Sequence, residues 1–386
     1  MIKYFKKLID SELNKLKWGS INLKIKDFYQ NKFTGSQKGL ESDILINDQS
    51  LIKDIITRGD LGFAEGYVNN KWDTSNLNNL LKILLKNEQI KNKEWRPNFF
   101  NKIIEKVNFI IKQNSIKQAK KNITFHYDLG NNFYKEWLDE TMTYSSAIFK
   151  NKDISLKEAQ INKYQSINEN LNLSKNSTVC EIGSGWGGFI NFIKNTHQNI
   201  NVDGYTISGQ QYSYVKKNFP KNINFEDYRN IKNKYSNVVS IEMFEAVGKK
   251  YWNTYFQKLN SILELNGSAC LQIITINENS FSKYLKNVDF IQKYIFPGGM
   301  LPTKNIVNKL AKDNGFKIYH KISFGYDYAK TLGIWKTNFN NSWKSIKEFD
   351  FDEKFKRLWN YYLDYCETGF SLDHTDVTQF FIKKIN

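Results

Sequence analysis

Cysteine and histidine are scarce in this chain of 386 residues: three of the first, four of the second. Cys180, Cys270 and Cys366 lie far apart in apolar or aromatic segments, and His126, His197, His320 and His374 are equally dispersed. Neither metal-ligand spacing nor a disulfide framework can be built from them, and a reducing cytosol is the expected compartment. Arginine is also scarce for so basic a protein, limited to Arg58, Arg96, Arg229 and Arg357. There is thus no arginine-rich groove and no evident base-recognition motif, so nucleic acid is not the expected partner. No apolar run approaches the ~20 residues of a membrane-spanning helix. Lysines interrupt the first eighteen residues throughout, which is not the pattern of a signal peptide.

What the chain has in excess is lysine and aromatic side chains. The formal net charge is +17, and aromatics make up 15% of the residues against 40% hydrophobic overall. Such a charge attracts polyanions, of which an anionic lipid surface is one; joint enrichment in Lys, Asn and Ile accounts for it equally well as compositional bias. At the N-terminus Ile2, Phe5, Leu8, Ile9, Leu13 and Leu16 recur at helical spacing between lysines. The stripe suits a membrane surface, but packing on its own domain is the commoner use and the one expected here.

Residues 21–87 mix short β-like runs with two helical stretches, which fits a small α+β domain. A Lys-rich connector follows, and after Tyr127 strands and helices alternate. Candidate strands are Thr178–Ile182, Asn201–Thr206, Val238–Met243, Ser268–Ile276 and Phe316–Phe324, with helices such as Gln210–Asn218 and Tyr251–Ile262 between them. This alternation predicts a largely parallel sheet covered on both faces. From Trp335 onward the chain reads as helical and aromatic. The expected division is 1–100, a small lipid- or membrane-associated domain; 101–122, a basic helical linker; and 123–386, the catalytic domain.

The segment Cys180-Glu181-Ile182-Gly183-Ser184-Gly185-Trp186-Gly187-Gly188-Phe189 follows an apolar strand and opens a helical run. A strand, a glycine-rich turn and a helix are how an open α/β sheet presents a ligand beyond its strand ends. Glu181 at the strand end suits a ligand with cationic or hydroxyl groups better than a phosphate. S-adenosylmethionine has that character, although an ordinary strand-to-helix turn would read the same way.

Further motifs narrow the choice. His126-Tyr127-Asp128-Leu129-Gly130-Asn131-Asn132-Phe133-Tyr134 and Met142-Thr143-Tyr144-Ser145-Ser146-Ala147-Ile148-Phe149 resemble the opening motifs of the cyclopropane-fatty-acyl-phospholipid synthase family. Thr206-Ile207-Ser208-Gly209-Gln210-Gln211, Glu242-Met243-Phe244-Glu245-Ala246-Val247-Gly248, Phe296-Pro297-Gly298-Gly299 and Cys366-Glu367-Thr368-Gly369-Phe370 are similar to that family too, as are Gly62-Phe63-Ala64-Glu65 and Trp72-Asp73 in the small domain. The resemblance runs in order along nearly the whole chain. It implies a class I S-adenosylmethionine methyltransferase fold, a Rossmann-like, seven-stranded, mostly parallel sheet. The implied reaction alkylates the cis double bond of an unsaturated acyl chain in an anionic membrane phospholipid, giving a cyclopropane fatty acid. The enzyme would be cytoplasmic and peripheral on the inner face of the membrane; a homodimer is a family-level expectation.

Carried over residue by residue, the cofactor set is Tyr144, Ser145, Glu181, Gly183, Gly185, Thr206, Gln211 and Ile241. The usual base in the family is a bound bicarbonate. Glu245 and Tyr328 match its carboxylate and tyrosine, with Glu245 expected to orient Tyr328 and accept the bicarbonate hydroxyl. Ser146 and Gln272 stand where many members have Cys and His. Gln272 cannot become cationic or shuttle a proton, so a methyl-branched chain is an alternative product. Soluble acceptors, RNA, or lipid binding without catalysis are the other readings. Glu245 as a helix cap, Tyr328 as a core tyrosine, His126 as a turn residue and Asp203 as a ribose ligand are the alternatives for single residues.

Overall fold

A computed structural model describes residues 2–26, 28–90, 129–197 and 199–385. The expected linker at 101–122 and the motif residues His126, Tyr127 and Asp128 lie outside them.

The N-terminal unit is a four-stranded sheet of β1 (Trp18–Ile25), β2 (Tyr29–Thr34), β3 (Gln37–Ile46) and β4 (Trp72–Asp73), in the order β2-β1-β3-β4. Only β1 and β3 are parallel. Strand β1 alternates buried Ile21, Leu23 and Ile25 with exposed Asn22 and Lys24, the period-two pattern of a sheet with one face on a core. Helices Leu51–Arg58, Asp60–Val68 and Leu77–Ile90 complete this unit. In the N-terminal helix Ile2–Leu13, Ile9 and Leu13 pack against this core, and Leu16 just beyond it is buried.

The second unit is a seven-stranded sheet with β5 (Thr178–Ile182), β6 (Asn201–Thr206), β7 (Ile223–Phe225), β8 (Tyr235–Ile241), β9 (Leu263–Ile276), β10 (Phe316–Ser323) and β11 (Thr375–Lys384) in the order β10-β11-β9-β8-β5-β6-β7. Strands β5 to β9 are mutually parallel, and β11 runs antiparallel to both of its neighbours. This is the class I methyltransferase sheet. Two strands go beyond the sequence reading: the short edge β7, and β11, which replaces the expected helical end of the chain. In β5, four of five residues are buried, as a strand covered by helices on both faces requires. The helix Leu156–Leu171 starts on a reciprocal cap: Ser155 Oγ accepts from Glu158 N, and Glu158 Oε2 accepts from Ser155 N.

The two units share one apolar core that runs from β1 and β3 through Phe133, Trp137, Trp335 and Trp359. The long helix Glu353–Ser371 joins them. Its Arg357 lies 3.9 Å from the Tyr67 ring centroid and donates to the carbonyls of Tyr67 (2.6 Å) and Trp72 (2.9 Å). Its Glu367 accepts from Lys82 at 3.0 Å, and Glu65 accepts from Lys293 at 2.8 Å.

Candidate active site

The central strands β5, β6 and β8 end on the same side of the sheet, so the turns that follow them converge. After β5, the amides of Gly183 and Ser184 donate to the carbonyl of Tyr205 at the end of β6 (2.9 and 3.1 Å). That pins a turn in which Gly183 and Gly185 adopt φ of +81° and +52°. Side chains disfavour this region, and glycine enters it freely. After β6, Thr206 Oγ1 donates to Gln211 Oε1 (2.9 Å), and Ser208 caps the helix Gly209–Asn218.

These turns open onto a cavity of about 1900 Å³ lined by Tyr144, Ser145, Glu181, Gly183, Gly185, Thr206, Gln211 and Ile241. All eight residues expected around the cofactor therefore stand on one wall system. Glu181 is 2% exposed, and its Oε2 has no hydrogen-bond partner. Burial pushes its carboxyl well above the usual range, against the pull of Lys163. An unpartnered carboxylate oxygen beside two left-handed glycines fits a ligand carrying hydroxyl or ammonium donors. Asp203, the alternative ribose ligand, instead accepts from Tyr235 at 2.9 Å and is absent from the cavity lining.

Behind the glycine turn, the helix Leu156–Leu171 carries Lys163, which has no exposed surface. Its Nζ donates to Ser145 Oγ at 2.6 Å. Desolvation lowers its pKa to about 7, although Glu242, Asp139 and Glu181 favour the charged form. Gln160, one turn earlier, donates to the Ser145 carbonyl (2.9 Å). This pair anchors Tyr144-Ser145-Ser146, and neither member was singled out in the sequence.

The residues expected around the base are rearranged relative to the expectation. Tyr328 donates not to Glu245 but to Glu242, at 2.6 Å to Oε2. Glu242 Oε1 accepts from the Ser146 amide (2.9 Å) and from Gln272 Nε2 (2.7 Å). Glu245 turns the other way: its Oε1 accepts from the Ile274 amide, and its Oε2 has no hydrogen-bond partner. The reason is backbone geometry. Glu242 takes φ of +50° immediately after β8, and its side chain meets Ser146, Gln272 and Tyr328. Glu245 sits one short 3-10 turn later, against β9. Ser146 and Gln272 are fully buried and do not line the cavity, whereas Glu242, Glu245 and Tyr328 do.

Burial raises the pKa of Glu242, opposed by its hydrogen bonds and by Lys163. Glu245, desolvated and facing the Glu242 charge, is pushed up to about 8. At neutral pH Glu245 is therefore mainly the neutral acid, and Glu242, with three donors, is the better-supported carboxylate. The bicarbonate expectation does not fit this donor set. Ser146 N, Gln272 and Tyr328 are engaged by Glu242, and Ile274 N by Glu245. Gln272 is itself held from β11, where Gln379 Nε2 donates to its Oε1 at 3.1 Å.

With this geometry in view, the comparisons with known proteins are specific. The family model described as mycolic acid cyclopropane synthetase matches residues 114–380. The chain is 31% identical over 348 residues to the tuberculostearic acid methyltransferase UfaA1 of Mycobacterium tuberculosis, covering 86% of this chain and 80% of that one. It is also 31% identical over 338 residues to the cyclopropane-fatty-acyl-phospholipid synthase of Escherichia coli K12, covering 85% and 84%. Among solved structures, mycolic acid cyclopropane synthase CmaA1 complexed with SAH and CTAB superposes with a TM-score of 0.64 at 29% identity. That alignment covers 69% of this chain and 98% of CmaA1. The glycine turn, the sheet order and these matches agree: the chain belongs to the cyclopropane synthase family and is an S-adenosylmethionine-dependent methyltransferase.

Proposed function

We propose that this enzyme alkylates the cis double bond of an unsaturated acyl chain in an anionic membrane phospholipid and closes it to a cyclopropane. The observation that carries this reading is the extent of the cavity. It passes from the cofactor turn into the N-terminal unit, where Leu23, Ile44, Ile46, Leu51 and Ile55 line it. Pockets for drug-sized ligands hold roughly 300–1,000 Å³; about 1900 Å³ leaves room for a long apolar chain beside a nucleoside.

S-adenosylmethionine supplies the electrophilic methyl group. Gly183 and Gly185 allow close backbone approach, Glu181 and the Thr206–Gln211 pair offer polar partners for its hydroxyl and ammonium groups, and Tyr144, Ser145 and Ile241 complete the wall. An isolated alkene is a weak nucleophile, so the site must exclude water and hold the acyl chain in register. Alkylation leaves a cationic carbon along the chain. The rings of Tyr328, Tyr361, Tyr362 and Phe370 line the cavity, an aromatic surrounding that stabilises a cation without capturing it.

Among the described residues no helix is long and apolar enough to cross a membrane. Approach from the cytoplasmic face would rest on the lysine excess, each lysine near anionic headgroups contributing about 1 kcal/mol. Mass spectrometry after incubation with S-adenosylmethionine and anionic vesicles of cis-monounsaturated phospholipid tests the reading. A gain of one CH2 that resists mild hydrogenation is expected. The same gain in a methyl-branched chain would favour the second reading, which the 31% identity to a tuberculostearic acid methyltransferase supports. No gain would overturn both.

A further inference from the structure

We propose that Glu242 is this enzyme's own catalytic base, occupying with its side chain the anion site that would otherwise hold a bicarbonate. The inference rests on the cyclopropanation reading above and assigns the proton-transfer step within it.

Three observations support it independently. First, three donors from three separate segments converge on one carboxylate: the Ser146 amide, the Gln272 amide group on β9 and the Tyr328 hydroxyl, at 2.9, 2.7 and 2.6 Å. That is a built anion site. Second, Glu242 holds a left-handed backbone, φ +50°, which glycine would adopt without strain and glutamate does not favour. Strain kept at such a position is characteristic of functional sites. Third, the carboxylate is not sealed in the core. Glu242 is partly accessible and lines the same cavity as Glu181, Gly183 and Tyr328, while its donors Ser146 and Gln272 are fully buried behind it. Desolvation raises its pKa, which makes the ionised form a stronger base.

The step balances without a further reactant. Methyl addition to one alkene carbon leaves its neighbour cationic. A proton leaves the new methyl group for Glu242, the C–H electron pair forms the bond to the cationic carbon, and the three-membered ring closes. Oε2, which holds one hydrogen bond against two on Oε1, is the oxygen that receives the proton. Glu245, pushed up to about 8, is poorly suited to the same role at neutral pH because it is already protonated.

The test uses the full-length protein in carbon-dioxide-free buffer, with and without added bicarbonate. Wild-type ring formation should be unchanged by bicarbonate; a several-fold dependence would overturn the proposal. Glu242→Gln should bind S-adenosylmethionine within two-fold of wild type by calorimetry while ring product falls at least 100-fold. Residual methyl transfer would appear as methylated alkenes of the same mass. Undiminished ring closure would overturn the proposal. Glu242→Gly removes the side chain at a backbone glycine accepts, and added bicarbonate should restore ring closure there. A readout free of turnover is 13C-bicarbonate binding by NMR, expected for Glu242→Gly and not for wild type; binding by wild type would refute the assignment. If wild type methylates no lipid, the function reading fails, and the NMR comparison still decides who occupies the anion site.

Discussion

Replacing Lys163 by methionine should change how stability depends on pH, by an amount the structure allows one to work out. The ammonium is fully buried, donates to Ser145 Oγ, and lies 4.8 Å from the Tyr164 ring centroid. Burial lowers its pKa from 10.5 to about 7. A pKa depressed in the folded state means that the stability the group contributes is complete above pH 10.5 and is lost as pH falls through 7. Between those limits the slope is about 1.4 kcal/mol per pH unit and halves at the folded pKa, so from pH 9 to pH 7 the native state loses roughly 2 kcal/mol through this side chain. Methionine has a comparable reach and does not titrate. Glu245 acts in the opposite sense: raised to about 8, it contributes stability that is complete below pH 4.5 and lost as pH rises through 8. The two slopes offset one another between pH 7 and 8 in the wild type, and the substitution exposes the Glu245 trend. Urea unfolding of both proteins at pH 7, 8 and 9 measures this. The lost Ser145 bond adds an offset that does not vary with pH; the change in offset, about 2 kcal/mol in favour of Lys163→Met on going from pH 9 to 7, is the diagnostic quantity. Parallel curves would refute the claim that Lys163 is folded in at the cost of its charge.

Tyr328→Phe removes the hydroxyl from Glu242 Oε2 but keeps the ring stacked on Phe370, 4.4 Å between centroids. Turnover should fall at least ten-fold with cofactor affinity within two-fold, and unchanged turnover would remove Tyr328 from the chemistry. Gly183→Ala forces a left-handed φ costing about 1–2 kcal/mol and places a Cβ 2.8 Å from Met243 Cγ. Calorimetry should show cofactor affinity reduced ten-fold or more, and normal binding would disprove the assigned loop. Arg357→Lys keeps the charge but cannot fork to the carbonyls of Tyr67 and Trp72. A loss of about 2 kcal/mol, read as roughly thirty-fold faster amide exchange in the helix Asp60–Val68, is expected. Unchanged exchange would show that Arg357 does not lock the two units together.

How far the sequence revealed this molecule depended on whether a residue's role is local. Strands β5 and β6 stand at the expected residues because a continuous apolar run and a glycine turn bound them. Strand β11 was hidden because it is inserted between β9 and β10 with Val377, Phe380, Phe381 and Ile382 all fully buried. With both faces covered it shows no clean alternation to separate it from the aromatic helix before it. Three-residue β7 is too short to carry a pattern. The glycine turn after β5 was legible for the opposite reason, since a positive φ is written in the residue type itself.

The base site shows where such reading stops. Glu242 and Glu245 stand three residues apart in one motif, and nothing in their identities says which one meets Tyr328. The answer lies in a left-handed turn at Glu242, a conformation its residue type does not advertise. Gln272 posed a similar problem, because an amide can donate or accept. Its orientation follows from Gln379, whose own Oε1 accepts from Ser166 at 2.8 Å, and Gln379 belongs to the strand the sequence concealed. Misplacing β11 therefore hid more than a strand: it hid the group that points the Gln272 donor at Glu242. The Glu242 charge is thus supported by a chain of contacts from Ser166 through Gln379 and Gln272, and the conversion of a glutamine from an apparent departure into a partner of the base depends on a fold-level register that no single motif contains.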